Sequence, residues 1–335
     1  MPVQPRNSKS KVDGSAEVLV VENIWGAAFD ELSEHYSVSF EPDLYKDPGA
    51  LKERLIGVRA IVVRNKTEVD SEILKAATSL EIVARAGVGL DNIDLKAADE
   101  EGVVVVAAIG ANARSVGEHA LALAFALARE VASLDASVRH GQWDRRLGIE
   151  LANRTWGVVG LGATGRETAK LAKGIGMEVV GYDPFFEGNL ALAGVDEVVG
   201  ELGELLQKSD FVSLHIPLTD ETFQLVNSQF LSSMRKDAFL INSSRGGLVD
   251  EDALFDALEK GMIKGAGLDV RAEEPPGPHP LNSHQRVVHS PHVAGLTEES
   301  QVRVTEMLAG EIRLVLSGIP ATKSVSAHKL PHKNG

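Results

Sequence analysis

The run Gly157-Val-Val-Gly-Leu-Gly-Ala-Thr-Gly165 leaves this chain few ways to fold. Before it, Thr155-Trp-Gly-Val-Val-Gly160 is rich in β-branched residues and suits a buried strand; after it, Arg166-Glu-Thr-Ala-Lys-Leu-Ala-Lys173 has helical composition. The spacing Gly160-x-Gly162-x-x-Gly165 fits the turn that joins strand to helix in a dinucleotide-binding βαβ unit. There the first glycine permits a tight turn and the second lets a pyrophosphate approach the backbone. The third lets helix and strand pack closely, with phosphate held at the helix N-terminus by Gly160, Gly162, Ala163, Thr164 and Gly165. A second strand, Glu178-Val-Val-Gly-Tyr-Asp183, ends on an acid 18 positions after Gly165. An acid so placed accepts hydrogen bonds from ribose hydroxyls and repels a 2′-phosphate, which favours NAD over NADP. The plainer alternative is a glycine-rich turn in an ordinary α/β domain, with Asp183-Pro184 as simple turn chemistry.

Three residues downstream supply a second line of argument. Arg245 stands in Leu240-Ile-Asn-Ser-Ser-Arg-Gly-Gly247, where an apolar strand breaks into small residues. A cation at the carboxyl end of a strand is where open α/β sheets meet ligands, and its fork suits a carboxylate and an adjacent carbonyl. Glu274 follows the strand Gly265-Ala-Gly-Leu-Asp-Val270, and His292 lies in Ser290-Pro-His-Val-Ala-Gly295 after Arg286-Val-Val-His289. A histidine can give or take a hydroxyl proton near neutral pH, and a carboxylate beside it would orient the ring. Taken singly, each has a plain structural reading: the chain holds 10 histidines, and an Arg at a strand end or a Glu before Pro is commonly an ion-pair or turn residue. Their order in combination carries the argument.

At this point the chain resembles the D-isomer-specific 2-hydroxyacid dehydrogenase family, most nearly its phosphoglycerate-dehydrogenase-like members. The resemblance runs through residues 17 to 320. It is carried by Ala84-Arg-Ala-Gly-Val-Gly-Leu-Asp-Asn-Ile-Asp94, Gly110-Ala-Asn-Ala-Arg-Ser-Val-Gly-Glu118, the Gly160 fingerprint and His215-Ile-Pro-Leu-Thr219. It continues in Asn242-Ser-Ser-Arg-Gly-Gly247, Gly267-Leu-Asp-Val270, Glu273-Glu-Pro275 and Ser290-Pro-His292. It implies that Arg245 holds the substrate carboxylate and polarises the keto oxygen, that His292 is the general acid during reduction, and that Glu274 is its partner. It further implies that the N–H groups of Val88 and Gly89 bind the carboxylate. Asn112, Pro217, Thr219 and Asp269 would lie near the cofactor, with Asp269 close to the nicotinamide carboxamide.

The expected fold is α/β: two Rossmann-like parallel-sheet domains with the active site in the cleft between them. At 335 residues the chain is long enough for two cores. Strand-like runs at Glu17–Val21, Ala60–Arg64, Leu80–Ala84 and Val103–Ala107 form a first parallel unit, and a long helical stretch from Ala113 to Gly141 leads away from it. Further strands start at Thr155, Glu178, Phe211, Ala238, Gly265 and Arg286. By the resemblance, a final helix over Glu298 to Leu316 crosses back. The expected layout is therefore residues 16–110 with 296–320 as a discontinuous substrate-binding domain and 111–295 as the NAD-binding domain. Residues 1–15 and 321–335, both polar, read as flexible tails, and no secretory signal is expected.

The formal net charge of -14 argues against nucleic-acid and anionic-membrane partners, and means that anionic substrates must be drawn by local cations. The absence of cysteine excludes disulfides, thiolate metal sites and thiol catalysis, and is compatible with a cytoplasmic location. No metal site is expected. The family resemblance implies a homodimer formed through the nucleotide domain, with the segment around Trp143 contributing.

Two features bear on the substrate. Arg64, after the apolar strand Ala60–Val63, is a candidate contact for a second anionic group such as a phosphate or sulfonate; the alternative is a solvated basic loop. The chain also departs from the family pattern. Ala163-Thr164 stands where many relatives have Arg-Ile, so a pyrophosphate-pairing cation is lost unless Arg166 replaces it, and Arg271 stands where an aromatic is common. The leading expectation is an NAD-dependent dehydrogenase for a D-2-hydroxy acid, including 3-phosphoglycerate or another doubly anionic acid. The alternatives are a glyoxylate or hydroxypyruvate reductase and a nucleotide-sensing, corepressor-like binding protein.

Overall fold

The computed structural model describes residues 16–331, so the expected tail at 1–15 lies outside the described residues. The chain divides into two units, Met1–Asn112 with Thr297–Gly335, and Ala113–Leu296.

The first unit is built on five parallel strands: β1 (Val18–Val20), β2 (Val38–Phe40), β3 (Ala60–Val63), β4 (Ile82–Arg85) and β5 (Val104–Ala107), in the order β2-β1-β3-β4-β5. All but β2 are fully buried, which is why they read as continuous apolar runs and not as alternating ones. Side chains still alternate between faces. Val18, Val62, Ala84 and Val106 pack on one side against Val304, Leu308, Ile312 and Val315. Leu19, Ile61, Val83 and Val105 pack on the other against Leu51, Leu55, Ile73 and Leu74. The helix Glu298–Leu316 thus covers one face of a sheet whose strands lie far upstream. Sequence reading missed β2, a three-residue, half-buried edge strand with too short a pattern to register.

The second unit has seven parallel strands: β6 (Thr155–Val159), β7 (Glu178–Tyr182), β8 (Glu197–Val198), β9 (Phe211–Leu214), β10 (Phe239–Asn242), β11 (Gly265–Leu268) and β12 (Val287–His289). Their order is β12-β11-β10-β9-β6-β7-β8. The chain runs outward from β6 to β8 and then returns to the other side of β6 at β9. That reversal is the topological switch point, where the carboxyl ends of such sheets open a crevice. Behind it, the Trp156, Phe211 and Phe239 rings stack across three adjacent strands at 5.6 and 5.0 Å between centroids. The helix Ala113–Ala128 packs on the same side: a Cβ on Gly267 would lie 2.9 Å from Leu123 Cβ.

Two expectations need correction. The helical stretch from Ala113 to Gly141 is two helices, Ala113–Ala128 and Val131–Arg139, because Glu130 adopts a left-handed backbone (φ 51°) between them. The segment 321–331 is not a loose tail. Val325 N–H donates to Val105 O at 2.9 Å and Val105 N–H donates to Ser326 Oγ at 2.9 Å, while Ser324 bridges Val106 in antiparallel fashion. Buried Glu311 also accepts the Thr322 and Lys323 N–H groups at 2.8 and 3.2 Å. The open edge of β5 offers backbone groups in need of partners, and this polar segment supplies them.

Candidate functional site

The glycine turn shows which glycines the fold needs and which a ligand needs. Gly160 has φ 95°, and a Cβ there would sit 2.6 Å from His215 O. A Cβ on Gly165 would sit 1.9 Å from Gly160 O. A Cβ on Gly162 would meet nothing within 4 Å, so that glycine keeps open space in front of the backbone. The helix Ala163–Gly174 starts there with no side-chain cap, leaving the first-turn N–H groups of Ala163 and Thr164 available to a phosphate.

Asp183, at the end of β7, ties the turn to its neighbour. Its Oδ2 accepts Leu161 N–H at 2.8 Å and its Oδ1 accepts Phe185 N–H at 2.9 Å. Each oxygen retains a lone pair for a ribose hydroxyl. Arg166 lies behind the turn, with Nε donating to Leu161 O at 2.6 Å and the guanidinium 5.8 Å from the Phe186 ring centroid. On the other side of β6, Pro217 and Thr219 are exposed and fixed by Thr222, whose hydroxyl donates to Pro217 O at 2.8 Å and accepts Thr219 N–H at 2.8 Å. Nearby, His215 is buried, and burial pushes its imidazole down to about 4. Its Nε2 lies 3.0 Å from Ser213 Oγ, which accepts Trp156 Nε1–H at 2.8 Å. It is a neutral packing residue, which sequence reading noticed only as part of a motif.

Arg245, Glu274 and His292 follow the carboxyl ends of β10, β11 and β12, and the structure pairs the last two. Arg245 is half-buried, and its carbonyl accepts from Asn242 Nδ2 at 2.8 Å. Glu274 Oε2 and His292 Nδ1 are 2.7 Å apart, with side chains 36% and 39% exposed, so the pair is reachable. Partial burial disfavours the Glu274 carboxylate, but the hydrogen bond and charge of His292 outweigh it and hold the carboxyl below its ordinary range. With Nδ1 turned to the acid, Nε2 is the ring nitrogen that Glu274 does not engage.

His292 has φ 56°, a left-handed conformation that a non-glycine residue adopts at a cost. Asp269 maintains it. Its carbonyl accepts His292 N–H at 2.7 Å; its carboxylate accepts Val293 N–H at 3.0 Å, Ala294 N–H at 2.8 Å and the Ser290 hydroxyl at 2.6 Å. His119 Nε2 approaches Ser290 Oγ to 2.8 Å and Asp269 Oδ1 to 3.4 Å. Burial opposes the Asp269 charge, yet these donors prevail and bring the carboxyl down to about 2. At 1% exposure, Asp269 serves the loop that carries His292, an occupation sequence reading did not assign to it. The His119 and Ser290 contributions were also missed, because their contacts with Asp269 span 21 residues or more of sequence.

In the first unit, the Val88 and Gly89 N–H groups donate to no acceptor among the described residues, so both remain open to a ligand. Asn112 Oδ1 is buried without a hydrogen-bond partner. Arg64 is not on a solvated loop. Buried Glu22 accepts the N–H groups of Arg64, Lys66 and Thr67 at 2.7, 3.2 and 3.1 Å, and Asn92 Nδ2 donates to Thr67 O at 2.6 Å. Arg64 Nη2 donates to Gln301 Oε1 at 2.6 Å. Burial pushes the Arg64 guanidinium below its ordinary value, and the Glu22 charge works against that.

Among the described residues, no group of three or more His, Cys, Asp or Glu side chains could hold a metal ion, and no helix is long and apolar enough to cross a membrane.

A doubly wound sheet with an open glycine turn at its switch point and an acid ending the next strand defines a dinucleotide-binding domain, with a carboxylate–imidazole pair at the carboxyl ends of its strands. Residues 121–294 match the family model described as "D-isomer specific 2-hydroxyacid dehydrogenase, NAD binding domain", and the chain belongs to that family. Over 319 residues it is 38% identical to D-3-phosphoglycerate dehydrogenase of Methanocaldococcus jannaschii, covering 95% of this chain and 60% of that protein. The chain thus spans less than two thirds of that relative's length. Among solved structures, the TT0316 protein of Thermus thermophilus is similar at 34% identity and a TM-score of 0.85, over 92% of this chain and 99% of that one. A glyoxylate reductase from Paecilomyes thermophila is similar at 27% identity and a TM-score of 0.84, over 93% and 98% of the two chains.

Proposed function

We propose that the protein is an NAD-dependent oxidoreductase that interconverts a small D-2-hydroxy acid and its 2-keto acid, with Arg245, Glu274 and His292 as catalytic residues. The observation that carries this reading is the 2.7 Å contact between Glu274 Oε2 and His292 Nδ1, which supports a pairing of acid and imidazole at the carboxyl end of the sheet. The open backbone at Gly162, the uncapped helix and the Asp183 carboxylate suit a pyrophosphate and an unphosphorylated ribose. Bound NADH would supply the hydride to the keto carbon.

The chain's own residues do the rest. His292 Nε2 gives its proton to the carbonyl oxygen during reduction and takes it back during oxidation, while Glu274 stabilises the ring when it is charged. The Arg245 fork holds the carboxylate and stabilises charge developing on the adjacent oxygen. Val88 and Gly89 N–H groups are proposed as further carboxylate donors, and Asn112, Pro217 and Thr219 as cofactor contacts. The half-buried Arg64 is proposed to receive a second anionic group, which points to 3-phosphoglycerate or a comparable doubly anionic acid; the similarity to D-3-phosphoglycerate dehydrogenases supports that choice.

A homodimer is proposed as well, supported by Trp143 and Leu147, which are 81% and 98% exposed on a segment without regular secondary structure. A cytoplasmic location is proposed from the cysteine-free composition. Glyoxylate reductase activity is the second reading, favoured by the structural similarity to such an enzyme. A nucleotide-sensing, corepressor-like protein is the third.

The test is NADH oxidation by the purified protein with glyoxylate, hydroxypyruvate, pyruvate, 3-phosphohydroxypyruvate and 3-sulfopyruvate, with NADPH in parallel. Preference for a doubly anionic acid is expected. Preference for glyoxylate or hydroxypyruvate would remove Arg64 from the site, and NADH binding without turnover would favour the sensor. Light scattering tests the dimer.

A further inference from the structure

We infer that Arg271, through a largely buried ion pair with Glu251, is a positioning residue for the Glu274–His292 pair. This rests on the catalytic roles proposed above. Arg271 is 8% exposed, and every nitrogen of its fork is used. Nε donates to Glu251 Oε1 at 2.9 Å, Nη2 to Glu251 Oε2 at 2.6 Å, and Nη1 to Asn282 Oδ1 at 2.7 Å.

Those partners are fixed points. Glu251 begins the helix Glu251–Glu259, and Asn282 lies in the short 3-10 turn Pro280–Ser283. From them the loop carrying Glu274 is held at both ends. At its start, Glu251 Oε1 also accepts Ala272 N–H at 2.9 Å. At its end, Asn282 Nδ2 donates to Gly277 O at 2.9 Å. In the middle, Arg271 N–H reaches Glu274 Oε1 at 3.3 Å, while Oε2 holds His292. Arg271's backbone also lies directly against the residue after Arg245: a Cβ on Gly246 would be 1.9 Å from the Arg271 carbonyl carbon.

One residue thus sets the Glu274 carboxylate from both directions. Its amide fixes one oxygen, and its side chain fixes the loop from which that carboxylate reaches His292. A bidentate guanidinium–carboxylate pair has the directional stiffness that this requires. A displacement of about 1 Å at such a site can cost 10²-fold in rate.

The test compares wild type with Arg271→Met. The double variant Arg271→Met/Glu251→Gln keeps an acceptor for Ala272 N–H and leaves no unpaired buried charge, so it serves if the single variant does not fold. In ¹⁵N-histidine-labelled protein, the Nδ1–H proton of His292 is assigned by its disappearance in His292→Gln. In a folded variant this resonance is expected to shift or broaden, and kcat to fall roughly 10- to 100-fold, while the NADH Kd and substrate KM stay near wild type. An unmoved resonance with wild-type kcat would overturn the inference and leave Arg271 as a fold-stabilising pair. The resonance decides the matter even if no 2-keto acid is turned over, so failure of the proposed activity is distinguishable from failure of this assignment. Absence of any Glu274-dependent imidazole resonance in wild type would also overturn it.

Discussion

Asp269 holds His292 by main chain and side chain together: its carbonyl accepts the His292 N–H at 2.7 Å, and its carboxylate accepts the next two N–H groups. A left-handed backbone at a residue such as His292 costs on the order of 1–3 kcal/mol. Charge-assisted bonds to a buried carboxylate are of a size to offset that. The histidine that would exchange the proton is therefore placed by an acid it does not share the proton with.

Asp269→Asn tests the relationship by pH. The folded-state carboxyl lies at about 2 against an ordinary 3.8, so its stabilising contribution is present above 3.8 and disappears as pH falls toward 2. Urea unfolding is expected to show wild type more stable than Asp269→Asn by on the order of 2 kcal/mol near pH 6, with the gap narrowing at pH 3. A pH-independent gap would show that the carboxylate's charge is not what the loop uses.

His292→Gln is expected to reduce kcat by roughly 10²- to 10⁴-fold, the range for loss of a positioned acid–base group, while NADH affinity stays near wild type. Stopped-flow turnover and fluorescence titration check the two halves. Unchanged turnover would remove His292 from proton transfer.

Arg245→Ala is expected to raise the KM for the 2-keto acid and to lower kcat, since the fork is proposed to hold the carboxylate and to polarise the carbonyl. Steady-state kinetics with the preferred substrate checks this. Near-normal values would remove Arg245 from the site.

The glycine turn separates folding from binding. Gly165→Ala places a methyl 1.9 Å from Gly160 O and is expected to lower the melting temperature strongly. Gly162→Ala meets no atom within 4 Å and is expected to leave melting nearly unchanged while weakening NADH binding. Equal effects on melting would contradict the division of roles.

Asp183→Ala is expected to lose discrimination against NADPH, measured as the ratio of kcat/KM for the two cofactors. Because Asp183 also accepts Leu161 and Phe185 N–H groups, a stability loss of about 1–2 kcal/mol should accompany it. Retained discrimination would move the selectivity to another residue.

What the sequence disclosed, and what it hid, follows from the range of the interactions. The parallel strands of both units, the short strands β2 and β8 apart, were legible because burial writes them as unbroken apolar runs, and the glycine turn because its demands are local. The pairing of Glu274 with His292 was anticipated only as part of an ordered set. Arg271, Glu251, Ser290 and His119 were not legible as supports, since their partners are distant in sequence and charged residues look alike whether buried or solvated. The segment 321–331 was misjudged for the same reason: its polar groups satisfy the β5 edge, not water.

The helix Glu298–Leu316 has a consequence for biosynthesis. A nascent chain emerging from the ribosome completes β1 to β5 well before this helix exists, so one face of a five-stranded parallel sheet stays bare while Ala113–Leu296 is made. At about 5–20 residues per second that interval is on the order of 10–40 s. The first unit cannot close its core until Glu298–Leu316 has been synthesised, and until then its exposed valines are the part of that unit most in need of a chaperone.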